Sequence, residues 1–434
     1  MRTPATSTAA PAGTPTCSQT VPVAPSPRPA TDLAETPAAE VRIGFVYPLS
    51  GRLASWGREV LPFVEMAQTD LNACAGAAGA RFTFLVRDSK TTPEGALAAV
   101  RDLVENEGVQ LIAGLPTSSE LEAAVPYLTQ HQVAAISSAS TSPIPALSQP
   151  DTVYRIMLPE RYLARRLAEL AIHLGYRKAG VIYRNDAWGP YYAAEVAAVF
   201  EAQGYPAVRV PVEPTHPEVG DYAAEVADLS ARVSELGADE TMVVILAVWE
   251  GEDLNILHHA AQDPTLSRVR WLSAVLYPGL LEGRFEDAGL DLPEARDFAL
   301  GHGLWGQENY PPESGLIRRL LVQAEANLGR PPRFEHVYAY DALQLAARAA
   351  RIAGGEGGDA MAAAIRLAAD GYDAATGPIQ FDPNGDRSSG DLAYYGLYQS
   401  GARYEFRYYA FYLDGRFEVL SAPEPRQVHF CPEC

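Results

Sequence analysis

Residues 109–139 read VQLIAGLPTSSELEAAVPYLTQHQVAAISSA. An apolar, β-rich run ends in a small-residue turn. The chain restarts as a helix over Ser118 to about Gln130 and then enters a second apolar run. Short continuous apolar runs separated by an amphipathic helix predict parallel strands covered on both faces. Both runs finish in hydroxyls and bare backbone, at Thr117–Ser119 and at Ser137–Thr141, where ordinary loops carry larger polar residues.

The same rhythm extends outward. Upstream, VRIGFVYPL (41–49) predicts a strand, Glu59 to Ala73 a helix, RFTFLVRDS (81–89) a strand and Pro93 to Asn106 a helix. Downstream, RYLARRLAELAIHLG (161–175) predicts a helix, with Leu163, Leu167, Leu170, Ala171 and Leu174 on one stripe. KAGVIYR (178–184), PAVRVPV (206–212), TMVVILAV (241–248) and VRWLSAV (269–275) predict strands with helices between them. No close internal repeat accompanies this second unit. Three helices follow Gly301, and then three tyrosine-rich strands that need shelter under an existing domain. The expected architecture is α/β, with two Rossmann-like lobes whose parallel sheets are flanked by helices. A hinge of several strands joins them. Residues 1–40 form a disordered tether, 41–155 with 303–394 lobe 1, 156–302 with 395–428 lobe 2, and 429–434 a tail. Clefts at the carboxyl ends of parallel strands are where such folds bind ligands.

Composition narrows the function. The chain has 434 residues, too many for one typical core, with 47% apolar and 20% charged residues. A net charge of -20 without a basic stripe argues against nucleic acid. No stretch has the apolar length of a membrane span. The first forty residues are rich in Pro, Thr, Ala and Ser and lack the apolar core of a signal peptide. Cys17 sits where a lipid-anchored tether would begin, so the sequence either starts after a removed signal or has an unstructured end. Cys17, Cys74, Cys431 and Cys434 are too few for a disulfide scaffold. CPEC with His429 would give three metal ligands on a frayed tail, and a tail disulfide or a clip to Cys74 is the plainer expectation. No metal or cofactor is expected.

Strand ends that run into helices present free N–H groups and a positive dipole end. Ser118, with Ser140 and Thr141 beside it, would form a site sized for a carboxylate. Plain N-capping by serine explains the same residues.

Six segments taken together resemble the type I periplasmic substrate-binding proteins, the branched-chain amino-acid-binding family of ABC transporters. They are VRIGFVYPLSGRLASWGREVLPFVEMAQTDLN with its Trp56–Gly57 pair, LIAGLPTSSELEAAVPYL, VAAISSASTSP, VIYRNDAWGPYYAAEV, HVYAYDALQLAARA and GPIQFDPNGDR. The resemblance spans about Val41 to Val419. It implies that Ser118, Ser140 and Thr141 hold a ligand carboxylate, with Ala139 alongside. Trp56 would cover the ligand from lobe 1, and Trp188 and Trp249 from lobe 2. It also implies closure about a hinge, docking on a membrane permease, an extracytoplasmic location that is periplasmic or lipid-anchored, and action as a monomer. Amino-acid binders of the family hold the ligand ammonium with an acid near the end of a lobe-2 strand. Here the matching stretch, WLSAVLYPG (271–279), has none. Glu250, Glu252 and Asp186 are the nearby replacements, because an unpaired ammonium in a closed cleft is costly. Otherwise the ligand lacks an amine, and Tyr277 and three tryptophans would suit an aromatic or larger apolar carboxylate, or an aromatic or amide compound.

An enzyme is not expected. No nucleophile elbow, H-E-x-x-H, P-loop or Gly-rich dinucleotide turn occurs. His258 and His259 are adjacent and point to different faces, and Asp382 and Asp386 read as turn residues. A ligand-sensing receptor domain of the same fold is the other alternative, for which a ligand-dependent dimer would speak.

Overall fold

The computed structural model describes residues 39–75, 80–143, 152–215, 219–310, 314–330 and 332–425. The predicted tether, Cys17 and the CPEC tail lie outside them, as does the side chain of Cys74. The first lobe begins with strand β1 (Ala39–Tyr47), helices α1 (Ala54–Arg58) and α2 (Leu61–Ala75), β2 (Ala80–Asp88) and α3 (Pro93–Glu105). It continues with β3 (Leu111–Gly114), α4 (Ser118–Gln130), β4 (Ala134–Ser137) and β5 (Val153–Arg155). The second lobe runs α5 (Glu160–His173), β6 (Lys178–Arg184), α6 (Gly189–Ala202), β7 (Ala207–Val212), α7 (Ala223–Glu235), β8 (Met242–Ala247), α8 (Glu252–Gln262) and β9 (Arg270–Ser273). Then come α9 (Gly279–Glu282), the small ribbon β10 (Arg284–Phe285) and β11 (Leu290–Asp291), α10 (Pro293–Gly301) and β12 (Trp305–Asn309). The chain returns through α11 (Gly315–Leu328), α12 (His336–Ala353) and α13 (Gly358–Ala369). It ends in β13 (Leu392–Ser400), β14 (Arg403–Leu413) and β15 (Arg416–Pro425).

Every residue of β3, β4 and β8 is buried, which is why they read as unbroken apolar runs. The first sheet has the order β2-β1-β3-β4-β5, all parallel. Side chains of α2, α11, α12 and α13 pack on one face and those of α3 and α4 on the other. The second sheet runs β7-β6-β8-β9-β12 in parallel and continues antiparallel through β13, β14 and β15. Its faces are covered by α7, α8 and α10 and by α5 and α6. Both lobes thus share one strand order: the second strand lies outside the first, and the third lies on the first strand's other side. In each, neighbouring strands send their connections to opposite faces at the first–third pair, opening a crevice at their carboxyl ends.

The sequence reading passes over β5 and β12. It assigns 303–394 to lobe 1, whereas β12 and β13 both belong to the second sheet. The chain crosses between the sheets after Arg155, after Asn309 and before Leu392. His258 and His259 take different partners, Glu294 and Asp221.

The FDPNGD segment folds back onto the end of β5. Asp382 accepts from the backbone N–H groups of Asn384 (2.8 Å) and Asp386 (3.1 Å), closing the turn. Asp386 then takes Arg155 in two parallel bonds, Nε at 2.6 Å and Nη2 at 2.8 Å. Arg155 Nη1 also donates to the Ser142 carbonyl, so this buried pair anchors the loop that follows β4. Replacing Asp386 with Ala strands a buried guanidinium. Urea unfolding should show a loss of about 3–5 kcal/mol.

Candidate functional site

Glycine places the first tryptophan of each lobe. A Cβ on Gly57 would stand 1.7 Å from the Pro48 carbonyl oxygen, and one on Gly189 would stand 1.9 Å from that of Arg184. Only glycine lets each helix start lie against the chain leaving the lobe's first strand. Trp56 and Trp188, one residue earlier, are thereby held at the mouths of the two crevices. Trp56 stacks on Tyr47 at 5.1 Å and lies 5.0 Å from the buried His336. Trp188 packs on Tyr192 at 5.8 Å. Trp249 follows the second lobe's third strand, with the Arg184 guanidinium 3.9 Å over its ring.

The two crevices face each other across a half-open cavity of about 200 Å³. That is room for on the order of a dozen water molecules, the size of a small solute. Trp56, Ser118, Ala139, Thr141, Trp188, Trp249, Glu250 and Tyr277 all lie on its wall. Ser140 does not. It stands behind Ser118 and donates its hydroxyl to Ser118 Oγ at 3.3 Å.

Ser118 is not the cap of its helix. Thr117 is, accepting from the Glu120 N–H at 3.3 Å. Ser118 Oγ instead accepts three long bonds from the 140–142 loop: the Ser140 hydroxyl and the N–H groups of Thr141 (3.4 Å) and Ser142 (3.3 Å). Its lone pairs are taken, and its own O–H remains as a donor beside the cavity. The strand before this loop ends at Ser137. The N-terminal residues of α4 (Ser118) and of α5 (Glu160) both line this end of the cavity.

Thr141 bridges the lobes. Its hydroxyl donates to the Glu160 carboxylate, and its carbonyl accepts from the Glu160 N–H at 2.8 Å. Glu160 lines the cavity and is buried, and the Trp188 side chain also hydrogen-bonds to it. Burial pushes its carboxyl up to about 7, against the pull of those two bonds. The sequence reading missed Glu160, because an acid in the first turn of a helix is common.

Glu250, the expected ammonium partner, is already engaged. Its Oε1 accepts from the Gly279 N–H at 2.9 Å, and its Oε2 pairs with Arg333 Nη2 at 2.8 Å. Arg333 precedes α12 in lobe 1, so this pair crosses the cleft. A second crossing pair joins Arg52 to Glu252 at 3.1 Å, with Glu252 also held by Arg184. Arg52 further donates to the Thr215 and Glu250 carbonyls, both at 3.3 Å. Asp186 is taken by Arg184 at 2.8 Å and by the N–H groups of Trp188 and Gly189. Neither Glu252 nor Asp186 lies on the cavity wall. The floor is closed by Gln307 and Asn309 of β12 and by Tyr338 of α12, none of them signalled by the sequence.

A family model described as periplasmic binding protein matches residues 40–401. The Leu/Ile/Val-binding protein homolog 3 of Brucella melitensis biotype 1 is 23% identical over 199 residues, covering 46% of this chain and 53% of that one. The chain spans about half the length of the curated relatives it matches. Among solved structures, a leucine binding protein from Thermotoga maritima superposes with a TM-score of 0.67 at 18% identity, over 84% of this chain and 97% of that one. A solute binding protein of an ABC transporter from Rhodopseudomonas palustris, in complex with 3,4-dihydroxybenzoic acid, gives 0.64 at 20% identity, over 85% and 95%.

Two outcomes follow from the charges. Glu160 has a raised folded pKa, so between its unfolded value of 4.5 and about 7 the native state holds a proton that the unfolded chain lacks. Stability therefore falls as pH rises through that window, by about 3 kcal/mol from this group. Glu120 and Asp253, raised to about 7 and about 8, add in the same direction. Urea unfolding of Glu160→Gln at pH 5 and pH 7.5 should show a correspondingly flatter slope. Arg52→Met removes one cross-cleft pair, and small-angle scattering of the ligand-free protein should show a larger radius of gyration. Each 1.4 kcal/mol lost from closure should weaken ligand binding about tenfold.

Proposed function

The chain belongs to the periplasmic binding protein family, and from that premise we propose that it is the extracytoplasmic solute-binding component of an ABC importer. It captures an amino acid or a related small carboxylate between its lobes and closes about the hinge. Lobe 1 comprises 39–155 and 315–387, and lobe 2 comprises 156–309 and 392–425. The observation that carries this reading is the half-open cavity at the carboxyl ends of both parallel sheets, walled by a tryptophan from each lobe and by Ser118. The Ser118 O–H and the first N–H groups of α4 meet the carboxylate, with Ala139 and Thr141 beside them. Trp56, Trp188, Trp249 and Tyr277 cover the rest. Ligand favours the closed state through contacts with both lobes that exist only there. The closed monomer then docks on a membrane permease, and the chain turns nothing over.

For a ligand with an amine, Glu160 is the partner in place of Glu250, whose carboxylate is neutralised by Arg333. An amine-free carboxylate is the second reading. It is supported by a carboxyl that burial brings to about 7, able to donate its proton to the ligand.

Thermal unfolding against amino acids and their des-amino analogues tests both. A ligand at 100–1,000 times its dissociation constant should stabilise by about 3–4 kcal/mol. Ser118→Ala should remove most of that shift. If the ammonium lies against Glu160, Glu160→Gln should weaken the amino acid by at least about tenfold and leave the des-amino acid nearly unchanged. The absence of any shift with any carboxylate, after refolding to remove carried-over ligand, would end this reading.

A further inference from the structure

Three polar atoms on the cavity floor lack a hydrogen-bond partner of good geometry: Gln307 Oε1, Asn309 Oδ1 and the Tyr338 hydroxyl. Their residues are only 4%, 7% and 1% exposed. Gln307 spends its amide nitrogen on the Tyr192 hydroxyl at 2.7 Å, which fixes the plane of its amide and leaves the other end free. Asn309 lies close enough to Tyr338 to ease the burial-raised pKa of the phenol, without forming a well-made bond to it. Asn309 is on the second sheet and Tyr338 on a helix of the first lobe, so this gap straddles the lobe boundary.

A buried polar group left unmatched costs about 1–3 kcal/mol. A hydrocarbon packed against this floor would leave these atoms without partners, whereas a neutral donor–acceptor group would supply them. We infer that the captured solute carries, besides its carboxylate, a hydroxyl or a carboxamide that is held by Gln307, Asn309 and Tyr338. These three residues then select against solutes that end in bare hydrocarbon. The inference rests on the carboxylate-capture reading above and narrows it. It does not depend on which way the Gln307 and Asn309 amides are turned, because a hydroxyl or a carboxamide both donates and accepts.

The test is isothermal titration of the full chain with matched carboxylates: leucine and asparagine, phenylalanine and tyrosine, benzoate and 4-hydroxybenzoate. In at least one pair the polar member should bind ten times more tightly or better, since sites built to hydrogen-bond a group reject analogues without it. In Tyr338→Phe and Asn309→Leu that ratio should fall below about threefold. The polar member loses affinity, and the apolar member gains it. The melting temperature of ligand-free Tyr338→Phe should not fall clearly, because its hydroxyl forms no well-made hydrogen bond among the described residues. That variant carries the test should Asn309→Leu misfold.

Equal or tighter binding of the apolar members would overturn the inference and leave carboxylate capture standing. So would a preference that both variants retain, or a clear drop in the melting temperature of Tyr338→Phe. Failure of every pair to bind would remove the carboxylate reading, and this inference with it.

Discussion

The carboxylate of Glu252 is fully buried, and it is held there by Arg52 from one lobe and Arg184 from the other. Burial pushes its pKa up, and the two guanidinium groups oppose that rise. A charge so far from water needs both partners, so the lobes are drawn together on one side of the cleft. Arg333 and Glu250 make the second crossing contact on the cavity wall itself. The cavity is a consequence of these contacts. Neither lobe encloses it alone, and its tryptophans form one wall only when the lobes meet.

The two lobes reach this arrangement by the same route. Each has a first strand with its second on one side and its third on the other. Trp56 follows the first strand of lobe 1 and Ser118 comes after its third. Trp188 follows the first strand of lobe 2, and Trp249 comes after its third. The halves share no close sequence repeat, but the crevice that the topology creates is furnished in the same two places. That is where connections leave for opposite faces and where backbone is free to meet a ligand.

Much of this was legible in the sequence because burial writes a strong signal. Strands such as KAGVIYR and helices such as Ser118–Gln130 stand out, since a two-faced parallel sheet demands apolar residues throughout. β12 escaped for the opposite reason. Gln307 and Asn309 face the cavity, so the strand that carries them lacks an apolar run. β5 is only three residues long. At the site, the resemblance singled out Trp56, Ser118, Trp188 and Trp249, and each follows a strong strand and lies on the cavity wall. The role of Glu250 was not. Whether an acid near a cleft is free or neutralised depends on a partner 83 residues away across the lobe boundary, and no local pattern records it. Glu160 and Tyr338 likewise acquire meaning only when the lobes close.

The cross-cleft pairs also bear on time. If the cleft holds a solute as proposed, its release must part Arg52 from Glu252 and Arg333 from Glu250, whatever lies inside. The cost of that separation belongs to the protein, so every cargo's dwell time carries the same multiplier, and differences among cargoes come on top of it. Because the paired side chains are nearly sealed from solvent, ionic strength changes that multiplier little. The release clock therefore runs at a similar rate in dilute and in saline surroundings.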